Sequence, residues 1–144
     1  MRLAIASDHA GYTLKEFIIR SFPEHEFLDF GTNNEESIDY PDTGFPAAQA
    51  VAEGECEFGI LICGSGIGMS ITANKVPGIR AALCNITDVA RLSRMHNNAN
   101  VLVLAGRFTA THYAVDIVKT WLETPFDGGR HLNRINKIHQ GERK

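Results

Sequence analysis

The sequence has no run of about 18 apolar residues, so no membrane-spanning helix is expected. Its first residues, "MRLAIASDHAG", bring Asp8 and His9 in too early for the apolar stretch of a secretory leader, which favours a cytoplasmic location. Cysteine is scarce: Cys56, Cys63 and Cys84 are odd in number and form no C-x-x-C. A disulfide framework and a cysteine-built zinc site are therefore not expected, and reduced thiols are. His9, His25, His96, His112, His131 and His139 form no H-x-H or H-x-x-x-H pair, so no metal is expected either. Positive charge is not in excess. Fourteen Lys and Arg against seventeen Asp and Glu give a net charge of −3, which offers nothing to nucleic acid or to an acidic membrane surface. Internal repeats, linkers and low-complexity tracts are also missing. The 144 residues, 44% apolar and 22% charged, fit one globular domain over 1–144.

What is present is alternation. Five short apolar runs read as strands: "RLAIA", "EFLDF", "FGILIC", "IRAALC" and "VLVLAG". Between them lie stretches with helical spacing. Thr13 to Phe22 carries Leu14, Phe17, Ile18 and Ile19 on one face. Gly31 to Gly44 is polar and rich in turn residues, so a loop is expected. "FPAAQAVAEGE" reads as a helix with Pro46 in its first turn. A helix through "SITANKV" stops at Pro77-Gly78. Thr87 is the expected N-cap of "TDVARLSRMHN". "TATHYAVDIVKTWLET" is a long helix, and "GGRHLNRINKIHQGERK" closes the chain as a short helix with a frayed basic end. Alternation of this kind predicts an α/β fold: a three-layer αβα sandwich with a five-stranded parallel sheet, doubly wound and Rossmann-like.

In such folds ligands bind beyond the carboxyl ends of the strands. Three strand ends carry chemistry: Ser7-Asp8-His9, Cys63 with the loop in "GILICGSGIGMS", and Ala105-Gly106-Arg107. The loop places Gly64, Gly66 and Gly68 as G-x-G-x-G, not the dinucleotide G-x-G-x-x-G, and the next strand ends at Cys84-Asn85 without a ribose-binding acid. No Walker lysine follows. Two readings remain. The loop is a tight turn, or its N–H groups, ahead of a helix N-terminus, hold an anion or an oxygen that becomes negative during reaction. Cys63 is either a small core residue or a base, since it borders the crevice beside a helix N-terminus, a place that favours thiolate. Cys56 and Cys84 have no such setting and read as structural. Asp8 and His9 fit a solvated turn or a site. His96 and Asn97 fit a helix C-terminal cap or a site. Arg130 and Arg134 share a helical face, as a solvated patch or a phosphate clamp.

Taken together, "SDHAG", "DYP", "ICGSGIGMSITANKVPGIRAA", "HNNANVLVLAGR" and "GGRHLNRI" resemble the B-type ribose-5-phosphate isomerases, in the ribose/galactose isomerase superfamily. The resemblance covers essentially the whole chain. It implies a dimer or dimer of dimers with sites shared between subunits, and a metal-independent, cofactor-free interconversion of an aldose phosphate and a ketose phosphate. By the same resemblance Cys63 is the base between C1 and C2, and the backbone of Gly64, Ser65, Gly66, Ile67 and Gly68 holds the enediolate. His96 opens the furanose ring with help from Asp8, and Asn97 binds sugar oxygens. His9, Arg107, Arg130 and Arg134 gather the phosphate, and Tyr40 lines the sugar pocket. Some relatives replace the cysteine with a glutamate just after the glycine loop. Met69 follows Gly68 here, so the chain resembles the cysteine branch.

Two alternatives stay open at this level. One is a six-carbon substrate such as allose or galactose 6-phosphate. The other, from a different class, is a nucleotide-binding regulatory module without turnover, because fold alone does not fix function.

Overall fold

The computed structural model describes residues 1–142. Its strands are β1 (Arg2–Ser7), β2 (Glu26–Asp29), β3 (Phe58–Cys63), β4 (Ala81–Leu83) and β5 (Val101–Ala105). Its helices are α1 (Tyr12–Ser21), α2 (Pro41–Ala52), α3 (Ile67–Asn74), α4 (Thr87–Asn97), α5 (Thr111–Glu123) and α6 (Arg130–Gly141). A short 3-10 turn, His9–Gly11, joins β1 to α1. The sheet is five-stranded and wholly parallel, in the order β2-β1-β3-β5-β4. The chain leaves β1 for β2 on one side and returns to β3 on the other. The carboxyl ends of β1 and β3 therefore form the switch point where such sheets open a crevice.

Alternation along the strands separates two cores. Ile5, Ile60, Ile62, Leu102 and Leu104 face one side and pack on α1, α4 and α5, where Ala114, Ile117, Val118 and Trp121 give α5 its buried stripe. Ala4, Ala6, Leu61, Cys63, Val101 and Val103 face the other side, under Ala47, Ala48, Val51, Met69 and Ala73 of α2 and α3. The smaller residues on this second side let α2 and α3 approach the strands closely, and they set the floor on which Cys63 stands.

Several local expectations are corrected. The loop expected over Gly31 to Gly44 ends early, because α2 begins at Pro41. Proline at the first helical position loses no hydrogen bond, and Asp42 follows it in the first turn. Pro46 consequently lies inside the helix rather than in its first turn. Thr87 is not an N-cap: Ile86 holds that place with extended backbone, and the Thr87 N–H donates to the Tyr113 hydroxyl at 3.0 Å. The fourth strand is only Ala81–Leu83, because the Arg80 N–H donates to the Asn100 side chain at 2.7 Å instead of a ladder partner. The basic end expected at 143–144 lies outside the described residues. Among the described residues no helix is long and apolar enough to cross a membrane.

Helix α1 carries a lysine on its buried face. Lys15 is fully buried and donates to both carboxylate oxygens of Asp29, at 2.8 and 2.7 Å, while Asp29 accepts from the Gly31 N–H at 2.9 Å. Lys15→Met keeps the stem but strips this half-buried carboxylate of its cation. An expected loss of about 2 kcal/mol, read as a lowered urea midpoint with unchanged slope, checks the pair.

Candidate active site

Three strand ends meet at the carboxyl edge of the sheet. The Gly106 N–H donates to the Cys63 carbonyl at 2.8 Å and the Arg107 N–H to the Gly64 carbonyl at 3.0 Å, so the end of β5 is stitched to the end of β3. The Asp8 N–H donates to the Ile62 carbonyl at 3.2 Å, which joins β1 to the same edge. Between them opens a cleft of about 490 Å³ lined by Asp8, Tyr40, Cys63, Gly64, Ser65, Ile67, Gly68, Ile71, Arg107 and Phe108.

The floor of the cleft is the turn from β3 into α3. Gly66 has φ +79°, the left-handed region that L side chains avoid, and a Cβ there would strike the Leu83 side chain. That conformation lets α3 begin inside the glycine run, at Ile67. The N–H of Ile67 donates to the Ser65 hydroxyl at 3.2 Å, while Gly68 and Met69 stand in the first turn, whose N–H groups have no helical acceptor. The Tyr40 ring lies so close over Gly68 that no side chain fits there. Gly66→Ala should therefore lose about 2 kcal/mol or more of stability, from left-handed strain plus the Leu83 clash, and turnover should fall with it. Thermal unfolding beside an activity assay measures both.

Cys63 is buried but borders this cleft. The other two thiols differ. Burial pushes Cys84 up to about 11, and burial also raises Cys56, so both remain protonated core thiols. The Asp8 carboxylate accepts from the Gly11 N–H at 3.1 Å, which caps the short turn and fixes the acid at the cleft wall. His9 accepts the Ile38 N–H on Nδ1 at 3.3 Å, which leaves Nε2 as its free ring nitrogen. The exposed guanidinium of Arg107 lies over Gly64.

The remaining residues named from the sequence are elsewhere. Helix α4 runs from the carboxyl end of β4 back to the amino end of β5, so His96 and Asn97, its last two residues, sit at the opposite edge of the sheet. Asn100, just beyond them, accepts the Gly59 N–H near the start of β3 at 3.0 Å. Gly59 pairs with Val101, and Cys63 with Ala105. The two edges are thus ~13 Å apart along the strands. Arg130 and Arg134 lie exposed on α6, which begins at the same far edge, with the Asp127 N–H donating to the Met95 carbonyl at 3.1 Å. One chain therefore does not bring His96, Asn97, Arg130 and Arg134 to Cys63.

Sequence reasoning missed three features. Phe108, 80% exposed, and Ile71 rim the cleft, and only their nearness to Arg107 and to the glycine loop pointed to them. His131 stacks on His96 with ring centroids 4.4 Å apart and planes 16° apart. Asp127 joins them, and the three offer donor atoms within 4.8 Å of one another. Looking for H-x-H or H-x-x-x-H spacing overlooked this group, because the two histidines come from different helices.

The fold and cleft define a class: a doubly wound α/β chain with a thiol and a glycine-lined helix start at its switch point. The chain belongs to the Ribose/Galactose Isomerase family, whose model matches residues 3–138. It is 44% identical over 139 residues to the ribose-5-phosphate isomerase B of Escherichia coli strain K12, covering 95% of this chain and 93% of that one. The structure of ribose-5-phosphate isomerase B from Clostridium thermocellum is similar at TM-score 0.98 and 52% identity, covering 99% of this chain and 98% of that one. The Mycoplasma genitalium isomerase B, solved with bound ribulose 5-phosphate, is similar at TM-score 0.95 and 41% identity, covering 99% and 97%.

Proposed function

We propose that this chain interconverts ribose 5-phosphate and ribulose 5-phosphate by proton transfer through an enediolate. The observation that carries the reading is Cys63 at the end of β3, facing the same cleft as the free N–H groups of the α3 start and Arg107. Similarity to isomerases of that substrate over nearly the whole chain supports it.

In this reading the Cys63 thiolate removes the C2 proton of the open-chain aldose. Negative charge then develops on O1, where the N–H groups of Gly68 and its neighbours and the α3 dipole stabilise it. The proton returns to C1, and a proton passes from O2 to O1, which completes the ketose. The substrate gives and receives its own hydrogens, so no redox cofactor is needed. Arg107 and His9 hold the phosphate in part, and Tyr40 and Asp8 flank the sugar.

The ring-opening acid–base group and the rest of the phosphate clamp then come from a second copy. His96, Asn97, Arg130 and Arg134 of one protomer complete the cleft of its partner. The ~13 Å between the two edges supports this, because one pentose phosphate does not span them within a chain. The exposed apolar rim of Ile67, Ile71 and Phe108 supports it too, since such a patch gains from being covered.

The test is kcat/KM on ribose 5-phosphate against allose 6-phosphate and galactose 6-phosphate, with EDTA present. A clear preference for the pentose is expected. Turnover of a six-carbon phosphate alone would move the substrate, and calorimetric binding of ATP or NAD with no turnover would replace the reading with a nucleotide-binding module.

A further inference from the structure

The junction of α4 and α6 holds a group of side chains that isomerisation does not require as a set. His131 is buried, His96 is half-buried and Asp127 is exposed, and their donor atoms lie within 4.8 Å of one another. The junction is fixed from both sides. The Asp127 N–H donates to Met95 beside His96, and the His131 N–H donates to the Gly128 carbonyl at 3.2 Å. The His96 and His131 ring centroids lie 4.4 Å apart, so nitrogens of both rings reach the same space as the Asp127 carboxylate.

We propose that His96, Asp127 and His131 form a binding site for a divalent transition ion of the zinc class. Two imidazole nitrogens and one carboxylate, with a fourth position open to water, suit such an ion and not magnesium or calcium, which take oxygen ligands. A tetrahedral ion with bonds of about 2.0–2.1 Å holds its donors ~3.4 Å apart. Closing from the observed spacing takes a swing of the exposed Asp127 side chain. It also takes a tilt of the half-buried His96 ring out of its stack, so that the in-plane lone pairs converge. Arg130 and Arg134 repel a cation here, which places the affinity below that of a resident structural zinc. The ion is therefore a reversible ligand.

Its consequence rests on the ring-opening role proposed for His96. A metal on that imidazole occupies the nitrogen that would exchange a proton with the ring oxygen. Zinc then inhibits turnover of cyclic ribose 5-phosphate and spares a four-carbon aldose phosphate, whose phosphorylated C4 oxygen cannot close a furanose.

The experiment is zinc titration by calorimetry on the full chain, freed of metal with EDTA and then dialysed. Wild type, Asp127→Asn, His131→Asn and Cys63→Ala are compared. Expected are micromolar binding in wild type and in Cys63→Ala, and about tenfold or greater weakening in each of the other two. Asp127 is exposed, so its variant keeps the test valid should His131→Asn fail to fold. No binding by wild type overturns the site. So does binding lost only in Cys63→Ala, which would put the ion on the thiol, or binding indifferent to both Asp127→Asn and His131→Asn. Zinc bound as expected that leaves ribose 5-phosphate turnover untouched upholds the site and overturns the His96 role.

Discussion

Cys63→Ala is expected to lower kcat on ribose 5-phosphate by ~10³-fold or more, while substrate still binds within a few-fold of wild type. A positioned base supplies ~10² to 10⁴ in rate, and at the upper end its loss corresponds to ~5 kcal/mol of barrier. No other group in the cleft replaces it. Met69, next to the glycine loop, is fully buried and carries no basic atom, and the Asp8 carboxylate is held at the end of β1 by the Gly11 N–H rather than at the end of β3 where Cys63 stands. Binding survives because the phosphate anchors and the α3 start are untouched. The fold should survive too: the sulfur packs at the edge of the α2 and α3 core, so the change costs about 1 kcal/mol in thermal unfolding. Steady-state kinetics with calorimetry of substrate binding reads both halves. Wild-type-like turnover in this variant would remove Cys63 from the mechanism.

His96→Asn is expected to divide substrates. On ribose 5-phosphate, a mostly cyclic sugar, kcat/KM should drop ~10²-fold or more, because ring opening needs an acid–base group near neutral pH. On erythrose 4-phosphate it should stay within about threefold, since nothing has to be opened and Cys63 still moves the proton. Equal losses on both sugars would assign His96 a structural role, through its stack on His131. The same variant tests the sharing of sites. In a dimer whose clefts each draw Cys63 from one protomer and His96 from the other, mixing Cys63→Ala with His96→Asn rebuilds one complete cleft per mixed dimer. About a quarter of wild-type activity should return after subunits exchange. If both residues served the same cleft from one chain, mixing would restore nothing.

Much of this was legible locally. The unbroken apolar run of "FGILIC" was legible as a strand of a sheet covered on both sides, and the structure puts Ile60 and Ile62 on one face and Leu61 and Cys63 on the other. Glycine at 66 was legible as a turn, and its positive φ shows why. Other positions misled for physical reasons. "YPDTG" carries turn residues, yet proline followed by an acid is also a helix start, and α2 takes that course. Thr87 has the right side chain for a cap, but Ile86 takes the cap position and Thr87 becomes the first helical residue, its own N–H donating to Tyr113 of α5. Nothing local marks Lys15 as buried; its partner Asp29 comes from a strand further along the chain, at 2.7 Å.

The sequence by itself determined the fold class, the family, and the identity of the strand-end residues, because each follows from periodicity and motif within a short stretch of chain. Tertiary structure decided where those residues meet. Strand pairing and the backward run of α4 put His96, Asn97, Arg130 and Arg134 at the edge opposite Cys63. The same packing set His96 against His131 and Asp127. No local pattern encodes these distances, because they depend on which strands pair and in which direction each connecting helix returns.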